Sequence, residues 1–162
     1  CEKLRKLGEA TVISAMDIKM LLKYVESLEP ERVFDLGIGA YLLNPLKSSY
    51  TYEDIAREYI GGISIPSREE LLGKETYEKA WEKSSENMGI CACYQAFTAY
   101  AAREKTEAKL KETGMWQVYT DIELPLVFTL DSMEKCGNLL ACYQRTPEAT
   151  IKQGTSIYYF PC

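Results

Sequence analysis

Apolar residues recur at helical spacing along most of the chain, interrupted near the start by short β-prone runs. Residues 2 to 7 (EKLRKL) predict the last turns of a helix closed by Gly8, and Thr11 to Ile13 predict a short buried strand. Over residues 17 to 28, Ile18, Leu21, Leu22, Val25 and Leu28 fall on one helical face, with Asp17 as its N-cap and Glu29-Pro30 as its end. A second strand, Arg32 to Phe34, leads to a helix capped by Asp35 and stopped by Asn44 and Pro45.

Three further pairs have the spacing of a reciprocal capping box and predict helix starts: Thr51 with Asp54, Ser67 with Glu70, and Thr120 with Glu123. Between the first two, Ile63 and Ile65 are expected to pin the GGISIP loop to the core. Residues 76 to about 112 predict the longest helical stretch, divisible at Gly89. Ile90, Tyr94, Phe97 and Ala101 form its inward stripe, and Glu107 with Lys111 an exposed ion pair. Residues 121 to 135 predict a helix kinked at Pro125, with Ile122, Leu126, Leu130 and Met133 inward and Gly137 as its stop. From Asn138 onward only three residues in 25 are charged, against 40 in the preceding 137. This break predicts a tail from a shifted reading frame or an appended end, a closing hairpin being the alternative.

Composition narrows the chemistry. The 162 residues, 46% hydrophobic and 27% charged, suffice for one globular domain without a metal or disulfide staple. The net charge of -5 argues against a duplex-coating basic protein. No histidine is present, which excludes Ser-His-Asp and Cys-His machinery and any His-ligated zinc within the chain. The six cysteines lack metal-ligand spacing, and Cys91 and Cys93, two apart on a predicted helix, point to different faces. Reduced thiols are expected. The opening residue, Cys1, predicts a fragment of a longer chain.

Four segments then occur in order: VFDLGIGAYLLNP (33 to 45), YTYEDIAREYIGGISIPSREELLGK (centred on 52 to 74), AFTAYAAREKTEAKLKETG (96 to 114) and DIELPLVFTLDSMEKCG (121 to 137). Together they resemble bacterial family A DNA polymerases of the polymerase I type. The likeness covers roughly residues 1 to 137, the 3'-5' exonuclease-like domain and the helix leading into the polymerase domain. It implies an α/β fold of the ribonuclease-H-like exonuclease kind, truncated at its N-terminus and therefore mostly helical. The opening strands, with the first acidic motif, would lie before Cys1. The implied domains are 1–114, a partial exonuclease-like domain; 115–137, the linking helix; and 138–162, the atypical tail.

The family's exonuclease chemistry uses two divalent metals about 3.5–4 Å apart, held by hard oxygen ligands. Its second motif is matched from Asp17 to Leu21, which puts Leu21 where a carboxylate belongs and suits core packing instead. Its third motif, a tyrosine followed four residues later by an aspartate, is matched by Tyr100 and Glu104. The additional methylene of Glu104 displaces its carboxylate, and misplacement by ~1 Å can cost ~100-fold in rate. Arg103 adds a cation where active members often carry an acid. A tyrosine on a helix is more often a core aromatic than a catalytic group, and Tyr100 is expected to be one.

The resemblance therefore implies a degenerate exonuclease domain with no intact catalytic set, Asp17, Leu21, Tyr100 and Glu104 being the degenerate positions. Its role would be structural, within a DNA-directed DNA polymerase of replication and repair. No cofactor or metal is expected on this chain, magnesium being that of the parent polymerase. DNA, through the parent, and the polymerase domain in cis are the expected partners, with no membrane and a cytoplasmic location. Two alternatives stand beside this reading. One is an active proofreading exonuclease in the parent, with Glu104, Asp17 and Asp35 as ligands; the other is a non-enzymatic helical interaction module using the acidic face of residues 51 to 86.

Overall fold

The computed structural model describes residue 6, residues 11–25 and residues 28–135; the predicted N-terminal helix end, Gly137 and the tail lie outside them. A parallel pair of strands forms the sheet of the described residues, β1 (Ile13–Ala15) and β2 (Val33–Asp35), in register Ile13 to Val33 and Ala15 to Asp35. Both lie slightly C-terminal to their predicted positions. Parallel strands need a crossover, here provided by helix α1 (Ile18–Leu22) and a 3-10 turn at Pro30–Arg32. The helix predicted over 17 to 28 ends early because the amides of Tyr24 and Val25 both return to the Leu21 carbonyl, tightening its last turn. Val25 and Leu28 are buried nonetheless.

The remaining described elements are helical, making a mostly helical chain around a small parallel sheet, compatible with a truncated α/β fold. Helix α2 (Leu36–Leu43) starts on Asp35 and ends on Asn44. Helix α3 (Tyr52–Ile55) runs into a π-turn at Ala56–Ile60. Its Thr51 cap forms half of the predicted box. The Asp54 carboxylate, one methylene shorter than glutamate, accepts from the Thr51 hydroxyl at 2.9 Å. Helix α4 (Arg68–Leu72) carries the complete box, with Glu70 accepting from the Ser67 amide at 2.9 Å. In the loop between them Ile65 packs against buried residues, whereas Ile63 is exposed, so one of the two expected pins is absent.

The stretch predicted from 76 to 112 is three helices: α5 (Tyr77–Lys83), α6 (Ser85–Ala101) and α7 (Arg103–Glu112). They break at Ser84 and Ala102; Gly89 lies within α6 without interrupting it. Their buried positions are Ala80, Cys91, Thr98, Ala99, Ala102, Thr106 and Leu110, while Ile90 and Phe97 of the expected stripe are exposed. Small residues are buried here because the helices approach closely. At Gly39 of α2, a Cβ would lie 2.9 Å from Thr106 Cγ2 of α7. Glu107 and Lys111 make the expected pair at 2.6 Å.

The last rod comprises α8 (Trp116–Val118), a π-turn at Tyr119–Glu123 and α9 (Leu124–Lys135). Thr120 does not start a helix. It sits inside the rod, donating its hydroxyl to the Trp116 carbonyl at 3.1 Å. The predicted inward face is also corrected. Leu124, Val127 and Asp131 are buried, whereas Ile122, Leu126, Leu130 and Met133 are exposed. The main core joins α1, both strands, α2, α6, α7 and this rod through Ile18, Phe34, Leu36, Ala99, Leu110 and Tyr119. A smaller cluster gathers Tyr52, Leu72, Ala80 and Cys91.

Candidate functional site

Asp35 is a buried carboxylate, 3% exposed, at the end of β2. One carboxylate oxygen accepts from the Ile18 amide at 2.8 Å and the other from the Ile38 amide at 2.9 Å, so a single side chain caps the N-termini of α1 and α2. The close approach continues at Gly37, whose amide donates to the Met16 carbonyl at 3.1 Å and where a Cβ would lie 2.7 Å from that oxygen. Behind this corner, the Tyr119 hydroxyl accepts from the Asp35 amide at 2.7 Å and donates to the Asp35 carbonyl at 3.2 Å. Burial pushes the Asp35 carboxyl up from 3.8 to about 6. The amides of Ile18 and Ile38 pull it down by less, and Asp17 adds a little to the rise.

Asp17 is exposed and caps α1, accepting from the Met20 amide at 3.3 Å. Leu21, one turn on, is half-buried and packs against the main core. Two of the three carboxylates offered as alternative ligands, Asp17 and Asp35, therefore accept from helix amides.

Tyr100 and Glu104 lie elsewhere, on either side of the break between α6 and α7. They line one groove of about 710 Å³ together with Val12 and Ser14 of the β1 segment and Arg103 and Lys111 of α7. Ser14 fixes the strand to α6 by donating its hydroxyl to the Ala99 carbonyl at 2.6 Å. Tyr100 is not the expected core aromatic: it is 81% exposed. The position that keeps the break internal is instead Ala102, which is buried. Glu104 is exposed as well.

The groove's charges balance, Arg103 and Lys111 against Glu104 and Glu107. Glu107 holds Lys111 at 2.6 Å and Arg103 at 4.0 Å, and the Arg103 guanidinium lies 5.8 Å from the Phe34 ring centre. The structure thus brings Tyr100, Arg103 and Glu104 to one groove, and neither Asp17 nor Leu21 is among its lining residues. Among the described residues, no group of three or more Asp, Glu, Cys or His side chains is placed to hold a metal ion. These residues do not fit a two-metal centre. Cys91 is buried and Cys93 exposed on α6, on different faces as their spacing predicts. No described helix is long and apolar enough to cross a membrane.

Sequence reasoning missed the Asp35–Tyr119 contact. Its one signal is Pro125, which marks the irregular turn that begins at Tyr119.

No family model matches the chain, and no solved structure matches it. Over 107 residues, 64% of its length, the chain is 27% identical to the DNA polymerase I of Bacillus subtilis (strain 168). It spans 12% of that protein's length. The chain is therefore similar, over part of its length, to a small part of a DNA polymerase I.

Proposed function

We propose that this chain is a piece of a DNA polymerase I-like protein in which the 3'-5' exonuclease-like domain has lost hydrolysis and kept an architectural role. In this reading residues 1–114 belong to a ribonuclease-H-like domain, and residues 115–137 form the helix leading toward a polymerase domain in cis. DNA is bound by the parent, whose polymerase chemistry uses magnesium. The observation that carries the reading is Leu21, a hydrocarbon side chain packed on the core where the family motif needs a metal-binding carboxylate. Glu104 adds to it. This residue shares the groove with Tyr100, and its longer side chain carries the carboxylate past the place an aspartate would reach.

The domain's work is then to hold a shape. Asp35 ties two helices to the sheet, and Tyr119 ties the last rod to Asp35. The test is release of mononucleotides from a 5'-labelled single-stranded oligonucleotide by the full-length protein in magnesium or manganese. The expected result is no release above background and no change in Glu104→Ala. Metal-dependent release abolished by Glu104→Ala would overturn the reading in favour of an active proofreading enzyme.

A further inference from the structure

The two strands differ in their surroundings: β2 is buried along its length, whereas every residue of β1 is half-buried. The outer edge of β2 is closed, because the Asp35 amide donates to the Tyr119 hydroxyl and the Asp35 carbonyl accepts from it. A residue's amide and carbonyl leave a strand on the same side, and successive residues alternate, so Asp35 faces away from β1 and Phe34 faces toward it. In a parallel pair the facing residue bonds to both neighbours of its opposite number, and Phe34 therefore meets Ile13 and Ala15. Ser14 is left with its amide and carbonyl pointing outward, and among the described residues no hydrogen bond reaches either. The open edge is short. Beyond Ala15 the chain turns inward, where the Met16 carbonyl accepts from the Gly37 amide.

This edge borders the groove of Tyr100 and Glu104. The Ser14 hydroxyl, donating to the Ala99 carbonyl, keeps it at the α6–α7 junction. Two polar groups there are unmatched. The Arg103 Nε is buried without a hydrogen-bond partner, the guanidinium reaching Glu107 only at 4.0 Å. Glu107 takes up Lys111, and Glu104 is left without an ion pair among the described residues. Edge and groove together offer a backbone template, an exposed aromatic ring at Tyr100, and one acid beside one cation. A patch carrying both signs is self-complementary, which a two-fold contact requires because the same surface is used by both copies.

We propose that the β1 edge is the seat of a two-fold contact between two copies of this chain, paired antiparallel across an axis at Ser14. The two Ser14 residues exchange amide and carbonyl as a hydrogen-bonded antiparallel pair, and the two sheets become one of four strands. Glu104 of each copy turns to Arg103 of the other, and Tyr100 is covered. The proposal rests on the β1 edge and its groove and is independent of the polymerase reading.

The test is sedimentation velocity of the full chain over a concentration series up to its solubility limit, with hydrogen exchange at the Ser14 amide followed by NMR. The wild type should pass from monomer to dimer as concentration rises, and the Ser14 amide should become protected in step. Ser14→Ala loses the hydroxyl but keeps the amide, and should still dimerise. Ser14→Pro removes the outward amide at no cost to the bonds with β2, and should stay monomeric. Glu104→Arg should weaken the dimer by roughly tenfold or more, because it sets like charges together. A wild type that is monomeric throughout, or a dimer that Ser14→Pro leaves intact, would overturn the proposal. Should Ser14→Pro fail to fold, the exposed Glu104→Arg carries the test, and a dimer of unchanged strength in it has the same negative meaning.

Discussion

Replacing Asp35 by asparagine should change how stability depends on pH, in a direction set by its burial. The folded carboxyl titrates at about 6 and the unfolded one at 3.8. Between these values the folded chain binds more protons than the unfolded chain, so the contribution of Asp35 is greatest below pH ~4 and falls as pH rises through ~6. The gap, at ~1.4 kcal/mol per pKa unit, is worth about 3 kcal/mol. Asparagine does not titrate. Its carbonyl oxygen can accept from one of the Ile18 and Ile38 amides, and its own amide meets the other, which costs about 1–2 kcal/mol through the lost cap.

The variant should therefore be less stable than the wild type by about 1–2 kcal/mol at the acid end and, because it escapes the desolvation cost of about 3 kcal/mol, more stable by about 1–2 kcal/mol at pH 7. Urea unfolding of both proteins at half-unit steps from pH 4 to 7 measures the difference, and subtracting the curves cancels the exposed carboxylates they share. A flat difference, or a destabilisation that grows with pH, would refute the reasoning. It would mean that the two amides outweigh desolvation at this carboxylate.

Three further outcomes are expected. Gly39→Ala should lose about 1–3 kcal/mol by pressing a Cβ on Thr106 Cγ2, and Thr106→Ser, which removes that methyl, should recover part of it in a double-mutant cycle by chemical denaturation. Val127→Lys should destabilise by more than about 2 kcal/mol because it buries an unpaired cation, whereas Leu126→Lys on the exposed face should change stability by less than about 0.5 kcal/mol in the same assay. Ser67→Ala should cost about 1 kcal/mol, read from the urea midpoint, by removing the cap of α4.

The sequence showed local chemistry well and phase poorly. Asp17, Asp35 and Ser67 announce their helix starts because a short polar side chain before an apolar run has one good use, capping amides. What it concealed at Asp35 is the second cap, since Ile18 lies 17 positions away and is reached only through the parallel pairing of β1 and β2. The inward face of α9 was misread because periodicity assumes an unbroken helix, and one residue of slack before Pro125 rotates every later side chain. On α6 the pattern favoured the larger apolar residues Ile90 and Phe97. The buried positions are instead Ala99, Ala102 and Thr106, whose small size leaves a weak hydrophobic signal.

At the site, the motif spacing brought Tyr100 and Glu104 into one groove, which follows from their places one turn apart across the α6–α7 junction. The exposure of Tyr100 could not be read from spacing. It depends on the break at Ala102 and on the groove beside β1.

In the proposed reading the groove beside Tyr100 holds no pair of catalytic metals. This is tested most directly by anomalous diffraction at the manganese edge from crystals of the full-length protein grown with manganese and a single-stranded oligonucleotide. The account predicts no paired peaks next to Tyr100 and Glu104. Two manganese ions about 4 Å apart at that place, with Glu104 as a ligand, would contradict it.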